Sequence, residues 1–197
     1  MDNNTLDYYN QNAASFVENT VSVNFSDNQD RFIEKLHKGD YILDFGCGSG
    51  RDTRHFLDKG FKVDAIDGSE ELCKLASDYT GIEVKHMLFQ ELNDTDKYDA
   101  IWACSSILHL PHNELRSVLQ KMVKALKNNG IIYTSFKYGT HEGIRNGRFF
   151  SDFTKESFDE FIRDMDQMQV VEHWLTCDVR PDREDEKWLN LLLKKEV

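Results

Sequence analysis

Residues 42–50 read Ile-Leu-Asp-Phe-Gly-Cys-Gly-Ser-Gly, and a second apolar run ends at Asp67, seventeen residues past Gly50. An apolar strand entering a glycine-rich turn, then a helix, then a strand ending in a carboxylate lays out a site for an adenosine-type ligand. Gly46, Gly48 and Gly50 let the backbone approach a ligand where a side chain would block it. A carboxylate at Asp67 can accept from both hydroxyls of a ribose. The spacing departs from the dinucleotide fingerprint G-x-G-x-x-G, because Arg51 stands where the third glycine belongs. Asp44 adds a charge at the strand end that opposes a pyrophosphate and suits a cationic or amino-bearing ligand. An NAD-dependent oxidoreductase is therefore the weaker alternative.

The Asp44–Gly50 motif with Asp67 resembles the S-adenosylmethionine site of class I methyltransferases, and the likeness runs over nearly the whole chain. Within that class the chain is most similar to the small bacterial enzymes of the tellurite-resistance or small-molecule type. Residues 46–52, 67–69, 87–89 and 101–103 carry the resemblance. It implies an α/β fold, a Rossmann-like three-layer α/β/α sandwich with a seven-stranded, mostly parallel sheet and an antiparallel last strand. It implies S-adenosylmethionine as cofactor, S-adenosylhomocysteine as product and a small-molecule acceptor. Asp67 is expected to hold the ribose, and Asp44 to face the methionine portion through water. Gly46, Cys47, Gly48 and Gly68 are expected in the turns around the cofactor, Leu88 and Phe89 at the adenine, and Ala103 at the end of the fourth strand. Many relatives accept from the adenine amino group with an aspartate, whereas this chain offers Gln90 and Glu91, which leaves backbone groups or Gln90. Tyr9, on an amino-terminal lid helix, is a candidate for the cofactor's carboxylate. Arg31 is another, since a guanidinium pairs with a carboxylate in bidentate fashion. For Arg31, and equally for Arg51, a solvated helix face is the competing reading.

Residues 103–111, Ala-Cys-Ser-Ser-Ile-Leu-His-Leu-Pro, fall where class I enzymes place side chains facing the reacting methyl group. His109 titrates near neutrality and is the candidate catalytic base, or else a local hydrogen-bonding residue that shapes the turn before Pro111. The segment lacks the Asn/Asp-Pro-Pro-aromatic motif of amino-methylating nucleic-acid enzymes. Neither Pro111 nor Pro181 precedes a cysteine, as cytosine-C5 chemistry requires, and no three-cysteine cluster supports radical use of the cofactor. No metal-ligand cluster stands out. A cofactor-binding module that senses or delivers S-adenosylmethionine without turnover is the alternative from another class.

Composition narrows the partners. A chain of 197 residues with 40% apolar and 30% charged residues fits one globular domain with a real core. A net charge of −11 without a basic block disfavours nucleic acid. No run reaches the roughly 20 apolar residues of a membrane span, and no signal peptide is visible. Cys47, Cys73, Cys104 and Cys177 are scattered, as reduced thiols of a cytoplasmic protein would be. A monomer or homodimer is expected.

The elements that must position these residues alternate strand and helix, which argues for a parallel sheet covered on both faces. Helices are expected over 5–19, from Ser26 or Asp27 to Gly39, from the glycine turn to Gly60, from Ser69, and from Pro111 to Asn129-Gly130. The helix after Pro111 carries Leu115, Val118, Leu119, Met122, Val123 and Leu126 at helical spacing. Strands are expected at Tyr41–Phe45, Phe61–Ile66, Ile82–Met87, Ala100–Cys104, Ile131–Phe136, Val170–Thr176 and Lys187–Leu193, with a helix around Phe158–Met165. The single domain 1–197 divides into lid helices 1–38, a cofactor-binding core 39–137 and a substrate side 138–197. Its polar loop, Lys137–Asp152, and the charged run Asp178–Glu186 are the natural substrate walls. Tyr138, His141, Arg145, Arg148, Phe149, Phe150 and Arg180 are candidates there.

Overall fold

In the computed structural model, residues 3–180, 183 and 185–196 are described. The helices are α1 Asn3–Gln11, α2 Ala13–Thr20, α3 Ser26–Ile33, α4 Arg51–Asp58, α5 Glu70–Thr80, α6 His112–Ala125 and α7 Lys155–Ile162. The strands are β1 Tyr41–Phe45, β2 Lys62–Asp67, β3 Val84–His86, β4 Tyr98–Ala103, β5 Leu126–Lys137, β6 Glu142–Arg145, β7 Arg148–Ser151, β8 Met168–Cys177 and β9 Lys187–Lys195. Seven strands form one sheet in the order β3-β2-β1-β4-β5-β9-β8, in which only β9 runs against the others. This is the Rossmann-like α/β architecture that the resemblance implied, with the parallel sheet that the alternation of elements argued for.

Alternation along the strands divides the core in two, because successive side chains point to opposite faces. Leu43 and Phe45 of β1 join α6 and α7 in one apolar cluster. Ile42 of β1 and Trp102 of β4 join Phe32 of α3 and Phe56 of α4 in the other. Trp102 stacks on Tyr133 at 3.9 Å between ring centroids. The stripe Leu115, Val118, Leu119, Met122 and Val123 is the buried face of α6. Ser69 caps α5 by accepting from the Leu72 amide at 3.2 Å, and Glu70 and Glu71 fill its first turn.

Four expectations need correction. The helix over 5–19 is broken at Asn12 into α1 and α2, where the Asn12 side-chain amide bonds the Tyr8 carbonyl; such local bonding competes with the helix. Helix α3 ends at Ile33 and short turns replace the expected run to Gly39. Helix α6 ends at Ala125, short of Asn129-Gly130. The polar loop 137–152 contains a hairpin, β6–β7, closed by Asn146-Gly147 at φ 51° and 75°. Asn-Gly is the pair that such a two-residue hairpin turn demands.

Strand register sets the site. Asp44 of β1 lies beside Ala65 of β2 and Trp102 of β4, and Asp67 lies beside His86 of β3. The carboxyl ends of β1, β2 and β4 thus finish together where the strand order reverses, the place at which open α/β sheets bind ligands.

Candidate active site

A cavity opens at these strand ends and encloses about 1340 Å³, counted to its open mouth. The turn after β1 forms its floor. Gly46 sits at φ 88°, and a Cβ there would come within 2.5 Å of the Ser106 Cβ. Gly48 sits at φ 55°, and a Cβ would stand 3.0 Å from the Phe16 ring of α2. Both positions combine a left-handed backbone with a close neighbour, so glycine is the residue that fits. The Gly46 and Cys47 amides donate to the Ile66 carbonyl at 3.0 and 2.9 Å, which ties the turn to β2.

Asp67 completes this half of the cavity. One carboxylate oxygen accepts from the Gly48 amide at 2.9 Å and the other from the Ser69 amide at 2.8 Å. Burial raises its pKa, and the amides oppose that shift. Each oxygen has a second lone pair to offer a hydroxyl. Cys47, Gly68 and Phe89 also line this half; Phe89 is buried against Phe45 at 4.8 Å. Leu88 stands beside Gly68 but off the cavity wall. Gln90 donates to Glu114 of α6, and Glu91 accepts from the Leu88 amide, and neither side chain lines the cavity.

Asp44, Arg31 and Ala103 are also placed differently from expectation. Asp44 is buried behind the glycine turn, where the Thr53 hydroxyl donates to it at 2.5 Å. Burial first, and the Asp52 charge second, push its pKa up, so it is a poor carrier of charge toward a ligand. Arg31 pairs with Glu172 at 2.5 Å and lies over the Trp174 ring, because the last turn of α3 packs under β8. Ala103 is fully buried in the core; Cys104, Ser105 and Ser106, which follow it, form the wall. Ser105 adopts φ 51°, and its amide is held by the Ser135 hydroxyl at 2.9 Å. Backbone strain at a cavity wall marks a position that the surrounding structure holds in place.

A buried network behind the turn escaped the sequence reading. Asp52 accepts from Gln29 at 2.7 Å, from Trp102 Nε1 at 2.8 Å and from Arg51 at 2.7 and 3.0 Å. The Arg51 charge and these donors hold the Asp52 carboxyl below its ordinary range against the pull of burial. Arg51 lines the cavity, with its guanidinium 4.5 Å over the Phe25 ring. The adjacent Arg-Asp pair was visible in the sequence, but its partners on α3 and β4 were not.

The opposite wall carries Tyr9, His109, Arg148 and Phe150 together. His109 is 2% exposed. Its Nδ1 lies 2.6 Å from the Phe149 carbonyl, so the proton is on Nδ1 and Nε2 accepts from the Tyr9 hydroxyl at 2.9 Å. Arg148 donates to that hydroxyl oxygen at 3.2 Å. Burial, then the Arg148 charge, lowers the His109 pKa to about 4, while the Phe149 bond opposes them. Both ring nitrogens are engaged, so the geometry favours His109 as a holder of Tyr9 over His109 as a base. Tyr9 accordingly faces His109 and Arg148.

Beyond β8, Arg180 forks onto Asp178 at 2.9 and 2.6 Å, and Trp188 Nε1 donates to the same carboxylate at 3.1 Å. Lys137 pairs with Glu186 and has its pKa lowered to about 8, chiefly by burial. Tyr138, His141, Arg145 and Phe149 stay off the cavity wall; Arg145 is spent on Asp152 at 3.0 Å. The charged run at 181, 182 and 184 lies outside the described residues.

Comparison with known proteins agrees with this geometry. Residues 42–130 match a family described as the methyltransferase domain. A putative methyltransferase of Bacillus subtilis is 27% identical over 160 residues, 77% of this chain and 63% of that protein. The N-terminal Xaa-Pro-Lys N-methyltransferase 1-B of Xenopus laevis is 38% identical over 98 residues, 46% of this chain and 44% of that protein. The chain spans 30–53% of the length of the first curated relatives it matches. Among solved structures, the 1,6-didemethyltoxoflavin-N1-methyltransferase of Burkholderia thailandensis, with S-adenosylhomocysteine bound, shares the fold. Its TM-score is 0.77 at 18% identity, over 98% of this chain and 85% of that one. Among the described residues no helix is long and apolar enough to cross a membrane. The glycine turn and Asp67 fall within the residues that match the methyltransferase domain, and the sheet around them has the fold of a solved methyltransferase.

Proposed function

We propose that this chain transfers a methyl group from S-adenosylmethionine to a small-molecule acceptor. One observation carries the reading: the cavity runs from the glycine turn and Asp67 past Ser105 to a second set of walls at Arg148, Phe150 and Arg180. That gives it a cofactor half and a separate half for an acceptor. The turn and Asp67 fit the adenosine portion, since the turn leaves no room for side chains and Asp67 keeps lone pairs for hydroxyls. When bound, the cofactor supplies an electrophilic methyl on a sulfonium; the S–CH3 bond breaks with its electron pair going to sulfur as the acceptor atom bonds the carbon.

The chain's own part is to align the two reactants and exclude water, which can supply several kcal/mol of barrier lowering, up to about 7–11. Ser105, Ser106 and the Tyr9–His109 pair shape the wall between the two halves. Among the described residues none on the cavity wall combines the exposure and free lone pair of a strong base, which suits an acceptor that is already nucleophilic. A peptide bearing a free amine and a lysine, as the Xenopus relative's name describes, fits less well, since Arg148 and Arg180 repel cations.

The test is formation of S-adenosylhomocysteine across an acceptor panel, with titrations of S-adenosylmethionine and NAD alongside. Turnover with a small acceptor supports the reading. Tight cofactor binding with no turnover on any acceptor would instead make the chain a sensing or delivery module, and preference for NAD would overturn both.

A further inference from the structure

The acceptor half has a charge character that the whole chain does not. The chain carries a net charge of −11. Yet Lys137, Arg148, Arg180 and Arg183 line this end of the cavity, with Asp178 among them. Three of these cations have acidic partners. Lys137 and Arg183 share Glu186, and Arg180 is forked onto Asp178.

Arg148 is different. Among the described residues no carboxylate lies within ion-pair reach of it. Among the described residues its hydrogen-bonding partner is the Tyr9 hydroxyl, which Nη1 reaches. Its Nε is buried and unpartnered. The guanidinium is sandwiched by rings, 4.5 Å over Tyr8 and 5.2 Å from Phe150. A desolvated donor left without an acceptor is costly, and at a cavity wall an acceptor brought by a ligand would relieve that cost. Planar stacking fixes the fork, so little side-chain entropy remains to be lost when an oxyanion binds.

Resting on the methyltransferase reading, we propose that the acceptor is an anionic small molecule whose carboxylate or phosphate is held by Arg148, with Arg180 and Lys137 adding long-range attraction. Phe150 gives that molecule an apolar wall beside its charge, so an aromatic or unsaturated acid fits better than a compact polar one.

The experiment uses the full chain with S-adenosylhomocysteine bound, so that the cofactor half is filled, and reads ligand-observed NMR with benzoate, phenyl phosphate and benzamide as probes. Benzoate and phenyl phosphate are expected to bind at least about tenfold tighter than benzamide, with the preference falling on added chloride as a charge-assisted bond requires. In Arg148→Gln the preference is expected to fall close to one, and Arg148→Lys to keep part of it. S-adenosylhomocysteine affinity is expected to be the same in all three proteins.

Equal binding of benzoate and benzamide by the wild type overturns the proposal while leaving methyl transfer standing. A preference that survives in Arg148→Gln also overturns it. Weaker S-adenosylhomocysteine binding in Arg148→Gln assigns the guanidinium to the cofactor's own carboxylate, and again overturns it. Failure of the wild type to bind S-adenosylhomocysteine removes the methyltransferase reading itself and the acceptor proposal with it. If Arg148→Gln does not fold, Arg148→Lys decides: a preference for benzoate over benzamide undiminished from wild type overturns the proposal, and a reduced one supports it.

Discussion

Replacing His109 by Asn isolates one titration in the core of the site. The wild-type ring is pushed from its ordinary 6.5 to about 4 in the fold. A histidine with a lowered folded pKa contributes stability that is present above about pH 6.5 and is lost as pH falls toward 4, because only the unfolded chain takes up the proton there. Between pH 7.5 and pH 5 that linkage amounts to about 2 kcal/mol. Asp44 pulls in the opposite direction, since its raised pKa makes the folded state lose stability as pH rises. The wild-type curve alone therefore mixes the two, and the difference between variant and wild type is what isolates His109. Asn can keep a donor to the Phe149 carbonyl, while Tyr9 loses its acceptor and retains Arg148. A pH-independent loss of about 1–3 kcal/mol follows from the unpaired hydroxyl and the lost packing. Thermal melts of the two proteins at pH 7.5 and pH 5 check this. The gap in Tm is expected to be narrower at pH 5 by about 4–8 °C, at about 2–4 °C per kcal/mol for a chain of this size. An unchanged gap at the two pH values would refute the reasoning, and so would wild-type turnover that falls with a midpoint near 6.5.

Asp67→Ala removes an acceptor from the cofactor half and should weaken S-adenosylmethionine binding by about 1.5–3 kcal/mol, read by calorimetry; an unchanged affinity in a folded variant removes Asp67 from the site. Gly48→Val meets both a φ of 55° and the Phe16 ring, so cofactor binding should be lost, with α2 displaced enough to change protection of its amides in hydrogen exchange. Asp52→Ala leaves the half-buried Arg51 without its partner and strips an acceptor from the buried Trp102 and Gln29. It should cost about 3–5 kcal/mol in denaturant unfolding, and a loss below about 1 kcal/mol would show the network to be solvated.

The sequence by itself determined the sheet and the cofactor half. Gly46, Gly48 and Asp67 are separated by one helix and two strand ends, so local spacing already sets them around one point. The alternation of apolar strands with the α6 stripe likewise carries its own periodicity. The Asn146-Gly147 hairpin was missed, because the polarity of the surrounding residues reads as loop. The acceptor half was decided only by tertiary structure. Tyr9, His109 and Arg148 are brought together from α1, the turn after β4 and β7, and sequence spacing across 100 or more residues says nothing about such a meeting. The fate of each charge was equally invisible. Asp44 and Arg31 look like ligands in a linear reading, yet burial holds one behind the turn and Glu172 takes the other. Whether a charged side chain reaches a ligand depends on which partners arrive first, and only the packed fold brings them there.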